Sequence, residues 1–174
     1  MRIAALVSIA TLVLLSTTTL AQEVVYDFDR ATDFSKFRTY AWVRGTVLAD
    51  DFNHNRIVNA VTTQLARKGL LRAETGATPD LLVAYHASFD RDLQITGFSS
   101  GWGPYRFGPA RSGVARTETI VTGTLAVDLV DARTHTIVWR AVASKEIDVK
   151  ADASKRERNI NKAAERMFKN YPGK

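Results

Sequence analysis

The chain contains no cysteine. Disulfides, thiol nucleophiles, iron–sulfur clusters and cysteine-based zinc sites are therefore excluded, and so is a lipoprotein signal, which needs a cysteine to carry its lipid. Histidine is scarce as well. His54, His86 and His135 are scattered, and none has a second imidazole at the helical spacing that zinc sites use. Asp90-Arg91-Asp92 is an acidic pair interrupted by its own counter-charge and lacks the glycine and distant glutamate of a calcium loop. The expectation is no metal site and no cofactor. There is no internal repeat, and the only break in composition is a Gly/aromatic stretch near the middle.

What is present begins with an address. One cation at Arg2, an apolar run from Ile3 to Leu15, then Ser16 to Thr19 and the small-residue exit Thr19-Leu20-Ala21 read as a secretory signal peptide over residues 1–21. Ile3 to Leu20 is just long enough to span a bilayer, but Ser8, Thr11 and the Ser16 to Thr19 run dilute it. Cleavage ahead of Gln22 is the expectation, leaving no transmembrane anchor. Residues 22–174 then form a single α+β domain large enough to bury roughly 70% of its unfolded surface, with no need of disulfides. The protein is expected to be periplasmic, exported, soluble and not lipidated. Its net charge of +6 falls to +5 when Arg2 leaves with the signal. In an exported protein that modest excess points to an envelope protein, a glycan or an anionic lipid head group as partner, and not to nucleic acid.

Periodicity gives the elements. Val24 to Asp29 and Thr39 to Val43 read as short strands separated by a turn at Phe34 to Phe37. Asp50 or Asp51 caps a helix to about Lys68, stopped by Gly69, with Ile57, Val58, Val61 and Leu65 on one stripe together with His54. Leu81, Val83, Tyr85, Ala87 and Phe89 recur at every second position of a strand from Leu81 to about Ile95. Thr119 to Val130 and Thr136 to Val149 form a hairpin in which Val121, Leu125, Val127 and Leu129 share a face, as do Ile137, Trp139, Ala141 and Ala143. Ser154-x-x-Glu157 reads as the capping box of a last helix ending near Asn170, with Ile160, Ala163, Ala164, Met167 and Phe168 on its apolar arc. The order β-β-α-β-β-β-α predicts an α+β fold, a mixed and mostly antiparallel sheet with two amphipathic helices packed on it.

Val25-Tyr26-Asp27-Phe28-Asp29, Asp33 to Trp42, Lys68-Gly69-Leu70, Pro79 to Tyr85, Gly123 to Asp131, Ile137 to Arg140 and Phe168 to Pro172 together resemble the successive blocks of domain-of-unknown-function family 4136. The resemblance implies a bacterial envelope protein, usually a lipoprotein, with no catalytic residues to carry over. This chain departs from that pattern by lacking the lipidated cysteine.

Two segments are candidates for binding. Between Thr96 and Arg116, Phe98, Trp102, Tyr105 and Phe107 stand among five glycines and Arg106, Arg111 and Arg116, a mixture suited to stacking on rings and gripping anions. On the last helix, Lys155, Arg158, Lys162, Arg166 and Lys169 occupy a narrow basic arc opposite the apolar one. Gly97-Phe98-Ser99-Ser100-Gly101 matches the G-x-S-x-G nucleophile elbow, with Asp128 or Asp131 and then His135 in triad order. The residues after it, Trp102-Gly103-Pro104, cannot start the helix that an elbow requires. The sequence therefore favours a non-enzymatic periplasmic binding or assembly module of the bacterial cell envelope, with no catalytic residues, over a small serine hydrolase acting on envelope lipid or glycan at Ser99.

Overall fold

The computed structural model describes residues 22–46, 50–96 and 116–173, with side chains described except at 93–96 and 116–118. The expected signal peptide (1–21) and most of the Gly/aromatic segment, including Phe98, Ser99, Trp102, Tyr105, Arg106, Phe107 and Arg111, lie outside the described residues.

Six strands and two helices follow in the order β1 (Glu23–Phe28), β2 (Thr39–Trp42), α1 (Asp51–Arg67), β3 (Leu71–Arg72), β4 (Leu81–Thr96), β5 (Arg116–Asp131), β6 (Ile137–Glu146) and α2 (Ala153–Phe168), with a 3-10 turn at Phe34–Lys36. They build one mixed sheet in the spatial order β1-β6-β5-β4-β2-β3, antiparallel except where β2 pairs with β3 and β4. This is the expected α+β architecture, with one strand added. β3 has two residues, both exposed, too few to show a period of two in the sequence.

The helices sit on one face of the sheet because the apolar parity of each strand points there. Val83 and Tyr85 on β4, Val127 and Leu129 on β5, and Trp139 and Ala141 on β6 are all buried. They meet Ile57, Val61 and Leu65 from α1 and Ala163, Ala164, Met167 and Phe168 from α2. At one end of this core an aromatic cluster ties five segments together: Phe28, Phe34, Phe37, Trp139, Phe168 and Tyr171, with neighbouring ring centroids 4.7 to 6.2 Å apart. Edge-to-face pairs of this kind add to the energy of burial itself.

Polar side chains fix the ends of the elements. Asp50 caps α1 by accepting from the Phe52 and Asn53 amides, and Gly69, at φ 78°, supplies the left-handed residue that ends it. Asp80 accepts from the Arg38 amide, the Thr39 amide and the Thr39 hydroxyl at 2.8, 2.9 and 3.0 Å, locking the start of β2 beside the start of β4. The hydrogen bond from the Arg38 amide, helped by those from Thr39, holds the Asp80 carboxyl below the usual carboxylate range against the opposing effect of burial.

Four expectations are corrected. The cap of α2 is Asp152, which accepts from the Lys155 amide at 2.6 Å; Ser154 and Glu157 lie inside the helix and make no capping box. α2 ends at Phe168, two residues before Asn170, because the chain turns through Tyr171 into the aromatic cluster. β6 ends at Glu146 and not at Val149, although the Ile147 amide still reaches the Val121 carbonyl at 2.7 Å. Ile137 does not share the face of Trp139. Leu129 pairs with Trp139 but Val130 pairs with Ile137, so Val138 is the extra residue of a bulge and Ile137 is turned outward, 47% exposed.

Among the described residues no helix is long and apolar enough to cross a membrane.

Candidate functional site

On the helix side of the sheet the core does not extend the full length of the strands. Beyond Leu125 and Ala143 the two helices begin, and a groove of about 360 Å³ opens between their first turns and the far parts of β4, β5 and β6. Small residues leave the space. Ala87, Ala143 and Ala163 occupy apolar positions where larger side chains would meet, and with Ile57, Leu125 and Ile160 they form an apolar floor. Gly123 has a specific role in that floor. A Cβ there would overlap the Ile147 Cδ1, so only glycine lets Ile147 lie flat across β5. Phe89 and Val149, 50% and 61% exposed, stand at the edge of the groove as large apolar side chains in contact with solvent.

The charges around this floor are unequally matched. Asp50 is committed to the cap of α1, where it binds the Phe52 and Asn53 amides and the Asn53 side chain. Asp148 is committed to Lys155, its Oδ2 lying 2.8 Å from Nζ, and to the Lys150 amide. The hydrogen bond from Lys155 and then that from Lys150 keep its carboxyl below the ordinary range. Glu146 follows Lys145 on β6, so strand alternation directs its side chain to the opposite face of the sheet. Arg91, Lys145 and Arg156 make no ion pair among the described residues. Lys145 donates to Asn159 Oδ1 at 3.2 Å and Arg156 to the Val149 carbonyl at 3.3 Å, which fixes each side chain and leaves further N–H donors free.

The other face of the sheet carries a polar cluster. Asp128, 3% exposed, lies directly across the ladder from Arg140 and accepts a two-pronged ion pair from its Nε and Nη2 at 2.5 and 2.6 Å. That hydrogen bonding raises the affinity of the guanidinium for its proton still further. His86 Nε2 approaches the same carboxylate at 3.5 Å, while its Nδ1 accepts from the Thr46 amide at 3.1 Å and lies 3.0 Å from the Thr46 hydroxyl. With the carboxylate bound by Arg140 and Nδ1 occupied by an amide, this cluster is arranged as a cross-strand clamp and not as a nucleophile and base.

The triad order noted in the sequence is not assembled by these groups. Asp128 is bound to Arg140 and His86, and Asp131 accepts from the Arg133 and Thr134 amides of its own turn. His135 is the exposed, positive-φ residue of that turn. His54 is a part-buried residue whose Nδ1 lies 2.6 Å from the Tyr85 hydroxyl.

The basic arc of α2 divides. Arg166 is half-buried and donates to the Gln22 carbonyl at 3.2 Å, tying α2 to the start of β1, and Lys155 is paired with Asp148. Arg158, Lys162 and Lys169 remain exposed. Arg156, which does line the groove, was absent from that arc. At 100° per residue it falls on the apolar arc with Ile160 and Ala163, and a cation on the apolar arc of a helix was the one signal in the sequence that could have found it.

A layer of two helices on one face of a mixed six-stranded sheet, with an open groove at the helix starts, defines an α+β protein. The chain belongs to the family described as Domain of unknown function (DUF4136), whose pattern it matches over residues 24–173. A DUF4136 family protein from Bacteroides thetaiotaomicron shares the fold with a TM-score of 0.54 at 14% identity, over 87% of this chain and 96% of that one. A PDZ domain protein from Parabacteroides distasonis is similar with a TM-score of 0.56 at 15% identity over 86% of this chain; the match spans only 35% of that longer protein. No curated protein matches the chain.

Proposed function

We propose that the protein is a non-enzymatic binding module of the bacterial cell envelope, exported to the periplasm by residues 1–21, and that the groove at the starts of α1 and α2 is its binding surface. The observation that carries this reading is the groove itself: an apolar floor left open by small residues, edged by exposed Phe89 and Val149 and by three cations without ion-pair partners among the described residues. The signal-like composition of residues 1–21 supports export, and the absence of cysteine supports an unlipidated form. The commitment of Asp128 to Arg140 and of Asp131 to its own turn favours binding over hydrolysis.

Crosslinking in living cells tests this. The full-length chain should form a specific adduct with an envelope component. Ala87→Trp, which fills the groove, should lose the adduct while retaining a cooperative melt; Arg140→Gln, on the other face, should keep it. Covalent labelling by a serine-directed fluorophosphonate, lost in Ser99→Ala, would reverse the reading in favour of the hydrolase.

A further inference from the structure

We infer that the occupant of the groove is a single-chain anionic amphiphile, a fatty carboxylate, with its alkyl chain on the apolar floor and its head group held by Lys145 and Arg156. The inference rests on the groove being the binding surface and adds the chemistry of what it binds. Three observations lead to it. First, the volume of about 360 Å³ is at the low end of small-ligand sites, which run from about 300 to 1,000 Å³, and suits one chain better than two. Second, Ile57, Ala87, Leu125, Ala143, Ile160 and Ala163 give the groove an aliphatic floor, and its polar lining, Asn53, Thr124 and Asn159 among it, leaves no buried side-chain donor or acceptor unpartnered among the described residues. Among the described residues the buried side-chain polar atoms without partners are Trp139 Nε1 and Tyr171 Oη, neither of which lines the groove.

The third observation is charge. Each charged residue that lines the groove has been placed: Asp50 in a helix cap, Asp148 in an ion pair with Lys155, Glu146 lining it at the end of β6 with its side chain directed by strand alternation to the opposite face, and Arg91, Lys145 and Arg156 without an ion-pair partner among the described residues. Lys145 and Arg156 are each anchored by one hydrogen bond, to Asn159 and to the Val149 carbonyl, so they are held beside the apolar floor with donors to spare. An apolar chain with no head group would leave these cations unused, and a cationic head group would be repelled by them. A carboxylate satisfies both parts of the site, with charge-assisted hydrogen bonds at one end and burial of methylenes along the other.

Isothermal titration of the full-length protein with a series of fatty carboxylates from octanoate to hexadecanoate, each below its micelle concentration, gives the test. Dodecanol and dodecyltrimethylammonium serve as uncharged and cationic comparisons. Saturable one-to-one binding of dodecanoate is expected, with affinity rising about three- to fourfold for each added methylene until the groove is filled. Lys145→Glu combined with Arg156→Glu should weaken dodecanoate at least tenfold and leave dodecanol unchanged, because the alkyl chain and not the cations holds the alcohol; a cooperative thermal melt of the double variant checks that it is folded. Ala87→Trp should abolish binding of both.

Equal binding of dodecanoate and dodecyltrimethylammonium, or dodecanoate affinity unchanged in the double variant, overturns the assignment of the head group. If no amphiphile binds while the in-cell adduct still depends on an open groove, the fatty carboxylate is overturned and the binding module stands. A dimer that Ala87→Trp dissociates makes a second copy the occupant and also overturns the inference. If neither amphiphile nor adduct depends on the groove, both readings fall.

Discussion

Trp139 is fully buried, with its ring 4.7 Å from that of Phe168 and 5.9 Å from that of Tyr171. Its position in the alternating run Trp139, Ala141, Ala143 made it legible as core in the sequence. Trp139→Ala should cost about 3–5 kcal/mol, measured as a lower midpoint of urea unfolding at unchanged slope. Tyr171 presents a subtler case. Burial pushes its hydroxyl up to about 12, and the oxygen has no hydrogen-bond partner among the described residues. A phenol that ionises near pH 10 when unfolded and near 12 when folded contributes stability below pH 10 that is lost as the pH rises from 10 to 12. Alkaline titration should show that loss in the wild type and a smaller one in Tyr171→Phe, which should be neutral or more stable by about 1 kcal/mol at pH 7. Asp80 has the opposite sign. Its carboxyl is depressed by the Arg38 amide, so its contribution is present above the unfolded value near 3.8 and is lost as the pH falls through the lower folded value. Asp80→Asn should flatten the acid limb of the stability profile and cost about 1–3 kcal/mol near neutrality.

The elements themselves were largely legible, and the exceptions have physical reasons. Helix α1 carried every signal at once: Asp50 to cap it, an apolar stripe, and Gly69 to end it. At the start of α2 the capping-box reading of Ser154 with Glu157 missed Asp152, which begins the helix two residues sooner because a carboxylate accepts well from free amides at an N-terminus. Asp152→Ala should therefore lower stability by about 1 kcal/mol and Ser154→Ala should change it by less than about 0.5 kcal/mol, in paired thermal melts. The β5–β6 hairpin shows the same limit at its turn. Counting back residue by residue from the Val130 and Ile137 pair would place Leu129 opposite Val138 and turn Trp139 out to the other face. The bulge at Val138 restores Leu129 to Trp139. The odd parity of Leu125, Val127 and Leu129 in one arm and of Trp139, Ala141 and Ala143 in the other is met equally by the five-residue loop read from the sequence and by a tighter turn with a bulge. That Val138 bulges depended on tertiary packing.

At the scale of the whole molecule the site is a property of assembly. The groove draws Ala87 and Phe89 from β4, Gly123 and Leu125 from β5, Ala143 and Lys145 from β6, Ile57 from α1 and Arg156 and Ile160 from α2. No short stretch of sequence contains more than a fragment of it. Two traces were present, the alanines at positions otherwise filled by large apolar residues and the misplaced cation Arg156. Each is common in solvent-facing helices and sheet cores, and only the strand order brings them together. The polar cluster of Asp128, Arg140 and His86 was hidden for the same reason, since it depends on the bulge that sets Asp128 opposite Arg140. On the proposed function the groove, and not the sheet edges, meets the partner. Site-specific photocrosslinkers placed in living cells at Phe89 and Val149, and for comparison at exposed Val25 on β1 and Leu71 on β3, measure this most directly. Adducts from Phe89 and Val149 that are missing from Val25 and Leu71 are the predicted result; adducts from the two edge positions with none from the groove would contradict it.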